Sequence, residues 1–324
     1  MTVRIAFVGA GGIASWQHFP NIEETSAQID VVGICDLDEE TAAEAGKRFD
    51  AATYADHETM YDDAEPDAAF VCVPPFAHGE PELAAAERGI DLLVEKPLGL
   101  ARDTVREIDA AIAEHGVVSQ VGYMNRYAPG VERAIELVGD RTVSLVDGRW
   151  FGQVAGTPWW GVEERSGGQI VEQATHIFDL VRRFGGDIET VAAYGGREVK
   201  AEAIDFADTT TTSMELDSGA VGHVSATSAL DSYEQGETGV TIVGDGLRLE
   251  CDLDGGLVGR VGDREVELAD DTNPFRRELE EFVTAVEAGD PSRPRSPYAD
   301  ARRTFEVTLA VNESLESGAP VSLD

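Results

Sequence analysis

The sequence predicts an α/β protein. Its first part reads as a doubly wound parallel sheet, and its second part as an α+β domain built on a mostly antiparallel sheet. Three observations carry this reading. Short apolar runs alternate with helical stretches as far as Gly122, the pattern of strands joined by crossover helices. A glycine-rich turn ends the first apolar run and opens a helix, the context that gives such a turn meaning. Beyond Gly122 closely spaced β-rich runs with glycine and acidic turns replace the alternation, as antiparallel pairing requires.

In order, residues 3–8 form an apolar strand that runs into Gly9-Ala10-Gly11-Gly12-Ile13-Ala14 and then a helical stretch to about Ala27. Gly9 permits the tight turn, Gly11 lets backbone approach a pyrophosphate, and Ala14 is small enough for close helix–strand packing. Gly12 and Ile13 open the helix, whose free N–H groups and partial positive charge suit phosphate. A second strand, 31–35, ends in Asp36, at the distance of the acid that binds an adenosine ribose. A carboxylate there favours NAD over NADP, because it hydrogen-bonds a ribose diol and repels a 2′-phosphate. Leu37 and Asp38 follow, with no arginine beside them.

Alternation continues: a helix over 41–49, a strand over 68–73, a helix over 80–89 and a strand ending at Val94. A helix over 102–115 and a strand over 117–122 complete the first domain, 1–123. Pro74 ends one strand and His78 opens the next helix; His78 either touches the nicotinamide side of a cofactor or satisfies a helix terminus. The strand at Val94 leads into Glu95, Lys96 and Pro97. Lysine is rare here, at positions 47, 96 and 200 only. One of these stands at the carboxyl end of a strand, where open α/β sheets bind ligands. Pro97 holds Lys96 extended and makes a cis bond more accessible.

The second domain, 124–324, begins at a crossover, Asn125-Arg126-Tyr127 with Pro129-Gly130. Next come a helix over 131–138, a strand over 142–151 and a loop holding Trp159 and Trp160. The glycine pairs 167–168 and 185–186 bracket a helix over 169–184. Ile170, Ala174, Ile177, Phe178 and Val181 make its buried stripe. Glu172, His176, Asp179 and Arg183 share another at steps of four, three and four, so neighbours face each other. Strands fill 188–268, a helix spans 274–288, and a last helix of about 296–317 starts at Ser296-Pro297. That helix is expected to pack back near the first domain.

Composition narrows the partners. There are 62 acidic against 25 basic residues, a net charge of −37. The acids are spread along the chain, which reads as a solvated shell suited to a salt-loaded cytoplasm; a cation store or a DNA mimic is the alternative. No basic stripe offers itself to nucleic acid or an anionic membrane. Three cysteines make no framework, no spacing suggests a metal, and no apolar run is long enough for a membrane. The expectation is a soluble cytoplasmic protein.

On the Gly9–Ala14 turn, Glu95-Lys96-Pro97, Gly167-Gly168 followed by Glu172, His176 and Asp179, and the closing segment from Ser296 through Gly318 to Leu323, the chain resembles the Gfo/Idh/MocA family of sugar and cyclitol oxidoreductases. The resemblance implies an N-terminal Rossmann domain and a C-terminal domain with a large, mostly antiparallel open sheet, often used to form homodimers or homotetramers. It implies that Lys96 and His176 flank the nicotinamide and the reacting hydroxyl. Where many members carry Asp, this chain has Glu172. The cofactor set is Gly9, Gly11, Gly12, Ile13, Asp36, Leu37, Pro74, His78, Glu95 and Lys96. Asn125, Arg126, Tyr127, Trp159, Trp160 and Asp179 are the candidate substrate contacts. The expected reaction is NAD-dependent oxidation or reduction at a secondary alcohol of a sugar, cyclitol or polyol. His176 acts as general base, Lys96 stabilises the alkoxide, and Glu172 orients the imidazole. The alternatives are a non-catalytic NAD-bound regulator or scaffold, and a reductase of an imine or enone.

Overall fold

The structure is a computed structural model that describes residues 2–253 and 255–323. The chain divides into two compact units, Met1–Met124 with Phe275–Arg302, and Asn125–Pro274 with Arg303–Asp324.

The first unit holds a six-stranded sheet: β1 (Val3–Val8), β2 (Ile29–Cys35), β3 (Ala52–Tyr54), β4 (Ala68–Val71), β5 (Asp91–Val94) and β6 (Ser119–Val121). The order is β3-β2-β1-β4-β5-β6, and every pairing is parallel. Parallel strands are covered on both faces, which is why β4 reads as four consecutive buried residues. The order reverses between β1 and β4, and the crevice at that switch point is where such sheets bind ligands. Side-chain caps start two helices: Asp38 accepts from Thr41 N–H ahead of Glu39–Phe49, and Asp56 from Thr59 N–H ahead of His57–Ala64. The sequence pattern does not reveal β3 or the His57–Ala64 helix. β3 has three residues, and the helix buries only Met60, Tyr61 and Ala64, too little periodicity to register.

Phe7, Phe19, Phe70 and Phe282 interlock edge to face or tilted, with centroids 4.9–5.5 Å apart. Phe282 comes from the helix Pro274–Ala288, as do Leu279, Val283 and Val286, all in the same core. Each such side chain contributes about 1.5–3 kcal/mol by burial. The sequence pattern assigns all of 124–324 to the second domain; residues 275–302 belong instead to the first unit. Ser296 differs too. Its hydroxyl donates to Val121 O (2.7 Å), and Tyr298 N–H donates to Ser119 Oγ (3.2 Å). The segment is tied to β6, and the last helix begins at Tyr298.

The second unit holds nine strands: β7 (Val143–Gln153), β8 (Ile188–Gly196), β9 (Thr209–Leu216), β10 (Val221–Leu230), β11 (Glu237–Gly244), β12 (Leu247–Asp252), β13 (Leu257–Val261), β14 (Arg264–Leu268) and β15 (Val321–Ser322). Their order is β14-β13-β12-β11-β7-β10-β9-β8-β15. All neighbours are antiparallel except β7 and β10. One face is apolar. Val146, Val224 and Ile242 pack there with Ile177, Phe178 and Val181 of the helix Thr175–Gly185. Gly148 makes that approach possible: a Cβ at this position would lie 2.2 Å from Ile177 Cγ2. The other face is polar, with Thr209, Thr211 and Ser213 alternating outward along β9.

Candidate functional site

The candidate cofactor-binding residues of the first unit are largely backbone. Gly9 has φ +86°, and a Cβ there would meet Cys72 O at 2.4 Å. Its N–H donates to Cys35 O at 2.8 Å, which ties the turn to β2. Gly11 and Gly12 are different: a Cβ on either would meet nothing within 4 Å. Gly9 is thus required by the fold, whereas Gly11 and Gly12 keep a surface bare. A one-turn π-helix, Ala14–His18, precedes the helix Phe19–Glu24.

Asp36 leaves the end of β2 with Oδ2 accepting Ala10 N–H (2.8 Å) and Oδ1 accepting Asp38 N–H (2.9 Å). The carboxylate braces the glycine turn and carries its charge beside it. Leu37 stands 93% exposed next to it. Bare glycines, a helix start and an acid at the second strand fit an adenine dinucleotide.

Pro74 precedes the 3-10 turn Pro75–Ala77. His78 has no exposed side-chain surface; its Nδ1 pairs with Glu82, whose other oxygen accepts Gly79 N–H at 2.8 Å. Glu95 is also turned inward. His18 Nε2 meets its Oε1 at 2.8 Å, and Lys96 N–H donates to its Oε2 at 3.2 Å. Gly122 makes room for it, since a Cβ there would fall 2.7 Å from Glu95 Oε2. Both His78 and Glu95 thus have partners inside the unit: His78 meets Glu82 near the start of its helix, and Glu95 meets His18 and the Lys96 N–H. Glu278 lies in the same interior. Burial, reinforced by the Glu95 charge, pushes its carboxyl well above the usual range. Lys96 stands just past β5, half-buried, and the Lys96–Pro97 peptide is cis.

The candidate groups of the second unit are side chains. Gly167 and Gly168 both have positive φ, +74° and +75°, and a Cβ on Gly167 would strike Val171 at 2.7 Å. Asn312 Nδ2 donates to Gly167 O at 2.8 Å and fixes the turn. The helix beyond these glycines is not uniform. Ile170–Ala174 is a π turn, and Thr175–Gly185 is α-helical. A π turn inserts one residue and rotates the next turns of the helix about its axis, a device frequent at functional sites.

Glu172 sits in that turn, and its Oε2 accepts Trp160 Nε1–H at 2.6 Å. Trp160 is 1% exposed and packs with Ile204 and Phe206, with Trp159 against the same cluster. Trp160 therefore anchors Glu172 from within the core. His176 is buried, and its ring lies parallel to Trp150, with centroids 5.7 Å apart and planes at 16°. An offset stack of this kind contributes about 0.5–1.5 kcal/mol beyond area. Trp150 Nε1–H donates to Gln173 Oε1 (3.1 Å), and Gln173 Nε2–H to Tyr233 OH (2.9 Å).

Trp150, Gln173 and Tyr233 are absent from the sequence-based set. A signal for Trp150 exists: Val146, Gly148 and Trp150 alternate along one face of β7.

Asp179 also changes role. Arg126 grips both its oxygens, at 2.8 and 2.5 Å, and Thr304 Oγ1 donates to one of them at 3.0 Å. Asp179 is 1% exposed and Arg126 4%. This buried pair ties the start of the unit to its helix, with both side chains engaged by protein partners. Tyr127 is buried as well. Asn125 and Gln169 are buried with amide atoms that have no hydrogen-bond partner among the described residues. Among those residues there is no cluster that could hold a metal ion, and no helix long and apolar enough to cross a membrane.

A parallel sheet in the 3-2-1-4-5-6 order, with bare glycines and an acid at its switch point, defines a dinucleotide-binding oxidoreductase fold. Residues 3–123 match the model described as "Oxidoreductase family, NAD-binding Rossmann fold". Residues 116–250 match the "GFO/IDH/MocA C-terminal domain". The chain belongs to the Gfo/Idh/MocA oxidoreductase family. It is 29% identical to the 2,7-anhydro-N-acetylneuraminate hydratase of Mediterraneibacter gnavus, over 60% of this chain and 53% of that protein. It is 28% identical to D-xylose 1-dehydrogenase (NADP(+)) 2 of Haloferax volcanii, over 99% of this chain and 100% of the other. Levoglucosan dehydrogenase, solved with NADH and levoglucosan, shares the fold with a TM-score of 0.87 at 19% identity, each chain covered to 99%.

Proposed function

We propose that this protein oxidises or reduces a secondary alcohol or ketone of a sugar, cyclitol or related polyol with a nicotinamide cofactor. The observation that carries the reading is His176: a buried imidazole, stacked on Trp150, one turn after a carboxylate whose second oxygen is fixed by Trp160. Bound NAD would lie on Gly11, Gly12 and Ile13, with Asp36 toward its ribose, and would supply the hydride acceptor. His176 takes the hydroxyl proton as the alcohol is oxidised; an imidazole titrates near working pH. The Lys96 ammonium stabilises the developing alkoxide. Glu172, held by Trp160, fixes the orientation in which the substrate hydroxyl meets the imidazole.

The test pairs two variants with a panel of pentoses, hexoses and inositols. Lys96→Ala and His176→Asn should each lower turnover by about 10²–10⁴-fold, while NADH titration shows that both variants still bind the cofactor. Near-normal turnover in either variant sinks the mechanism. One relative is named as a hydratase, so products should be identified by NMR; a net hydration with no net change in NADH replaces the dehydrogenase reading. Asp36, with Leu37 and Asp38 after it, favours NAD over NADP.

The charge of −37 fits a protein that works in concentrated salt, where screening relieves self-repulsion. Thermal unfolding in dilute buffer and in molar potassium chloride tests this; equal stability in both refutes it. The polar outer face of the second sheet is proposed to join copies into a homodimer or homotetramer, which light scattering reads as a multiple of 34.7 kDa.

A further inference from the structure

A hydrogen-bonded run from Tyr233 through Gln173 to Trp150 ends against the imidazole. Tyr233 OH accepts from Gln173 Nε2 at 2.9 Å, and Gln173 Oε1 accepts from Trp150 Nε1 at 3.1 Å. Gln173 is 5% exposed, and it stands in the π turn between Glu172 and His176. Its amide is held at both ends, one N–H donating to the Tyr233 hydroxyl and the oxygen accepting from the Trp150 indole. Gln173 thus fixes the plane of the indole, and the indole faces the imidazole at 16°. Tyr233 belongs to the short turn Tyr233–Gln235 between β10 and β11. It lies over Gly152, where a Cβ would come within 2.7 Å of the phenol ring and 3.5 Å of Trp150 Nε1. The bare backbone at Gly152 is what lets the phenol reach Gln173.

We propose that Trp150 is the positioning residue of His176, and that the Tyr233–Gln173 pair sets the indole plane that holds the imidazole in its working orientation. This rests on the reading of His176 as proton acceptor. A stack constrains ring tilt while leaving both ring nitrogens for other partners, which a hydrogen bond to the imidazole would not do. The charged groups nearest on the helix are Glu172, one turn before, and Asp179, closed by Arg126. On β7, Asp147 and Arg149 point to the opposite face, where Asp147 pairs with His223 and Arg149 with Glu237.

Steady-state kinetics and intrinsic fluorescence on the full chain test the proposal. Trp150→Leu removes the stack, and kcat should fall by about 10²-fold, the scale of an ångström-sized misplacement, with KM and NADH affinity little changed. Trp150→Phe keeps a ring in place and should recover most of that loss. Tyr233→Phe and Gly152→Ala disturb the pair from its far end and should give smaller losses in kcat. The spectroscopic reading is independent of turnover. A protonated imidazole quenches an indole stacked on it, so tryptophan emission should change through the titration of His176. That inflection should vanish in both His176→Asn and Trp150→Phe.

Normal kcat in a folded Trp150→Leu protein overturns the proposal, as does a wild-type emission curve with no inflection that His176→Asn removes. An inflection that is present while His176→Asn turns over normally also overturns it, but through the role of His176, since the stack itself would then stand.

Discussion

The two units build their candidate groups from different materials. In the first they are largely backbone: a turn forced by Gly9, a surface bared by Gly11 and Gly12, and one carboxylate, Asp36, braced on Ala10 N–H. In the second they are side chains held by other side chains: Trp160 on Glu172, Trp150 on His176, Gln173 between Trp150 and Tyr233. Backbone sites arise from local sequence, because a tight turn admits few residues. Side-chain sites need partners from distant strands, so they tolerate different residues around the same reacting group.

The sharpest way to break this comparison is at the glycines. Gly9→Ala puts a Cβ 2.4 Å from Cys72 O at φ +86°, and left-handed strain alone costs about 1–3 kcal/mol. Calorimetry should show severe destabilisation or no folded protein. Gly12→Ala should fold normally and lose dinucleotide affinity instead. Equal effects at the two positions would erase the distinction drawn between them.

Next in size is Gly148→Ala in the second unit. Its Cβ would stand 2.2 Å from Ile177 Cγ2, and overpacking of this kind costs about 1–3 kcal/mol. Because the displaced helix carries His176, turnover should fall further than the melting temperature alone explains.

Asp36→Ala comes third. Loss of a ribose hydrogen bond to a charged group costs about 1.5–3 kcal/mol, so NAD should bind about tenfold or more weaker while NADP is less affected. Unchanged NAD affinity would remove Asp36 from the cofactor.

The smallest effect is at Asp91, whose carboxyl burial raises from 3.8 to about 6 although Val118 N–H donates to it. A folded pKa above the unfolded one favours the native state below about pH 4 and loses that contribution as pH rises through about 6. Asp91→Asn keeps an acceptor without the charge. Its melting temperature relative to wild type should improve between about pH 4 and about pH 7.5; a constant difference would contradict the assignment.

Much of the first unit is legible in the sequence because its signals are local. The glycine turn, Asp36 and the alternating strands lie in order, and parallel strands buried on both faces read as unbroken apolar runs. The elements that escape notice there are either short, like β3, or polar, like the His57–Ala64 helix. The second unit hides more. Helical spacing places Glu172 and His176 together but gives no sign of the π turn between Ile170 and Ala174. Of three tryptophans near one another in sequence, the adjacent pair 159–160 reads equally as a platform for a sugar face or as core, and Trp150, not singled out, is the one against His176. The reason is tertiary: Trp160 finds Phe206 and Ile204, dozens of residues away. Asp179 reads as a substrate acid because nothing local shows Arg126 reaching it.

The return of residues 275–302 into the first unit has a consequence for how the chain is made. Leu279, Phe282, Val283 and Val286 fill the interior beneath β1 and β4, so a polypeptide ending at residue 124 lacks one wall of its own core. During synthesis the six-stranded sheet stays incompletely sealed until residues 275–302 have been made. The sheet of residues 3–121 is therefore not free to finish before that helix, and a fragment of residues 1–124 should bind dinucleotide poorly for want of a helix encoded far downstream.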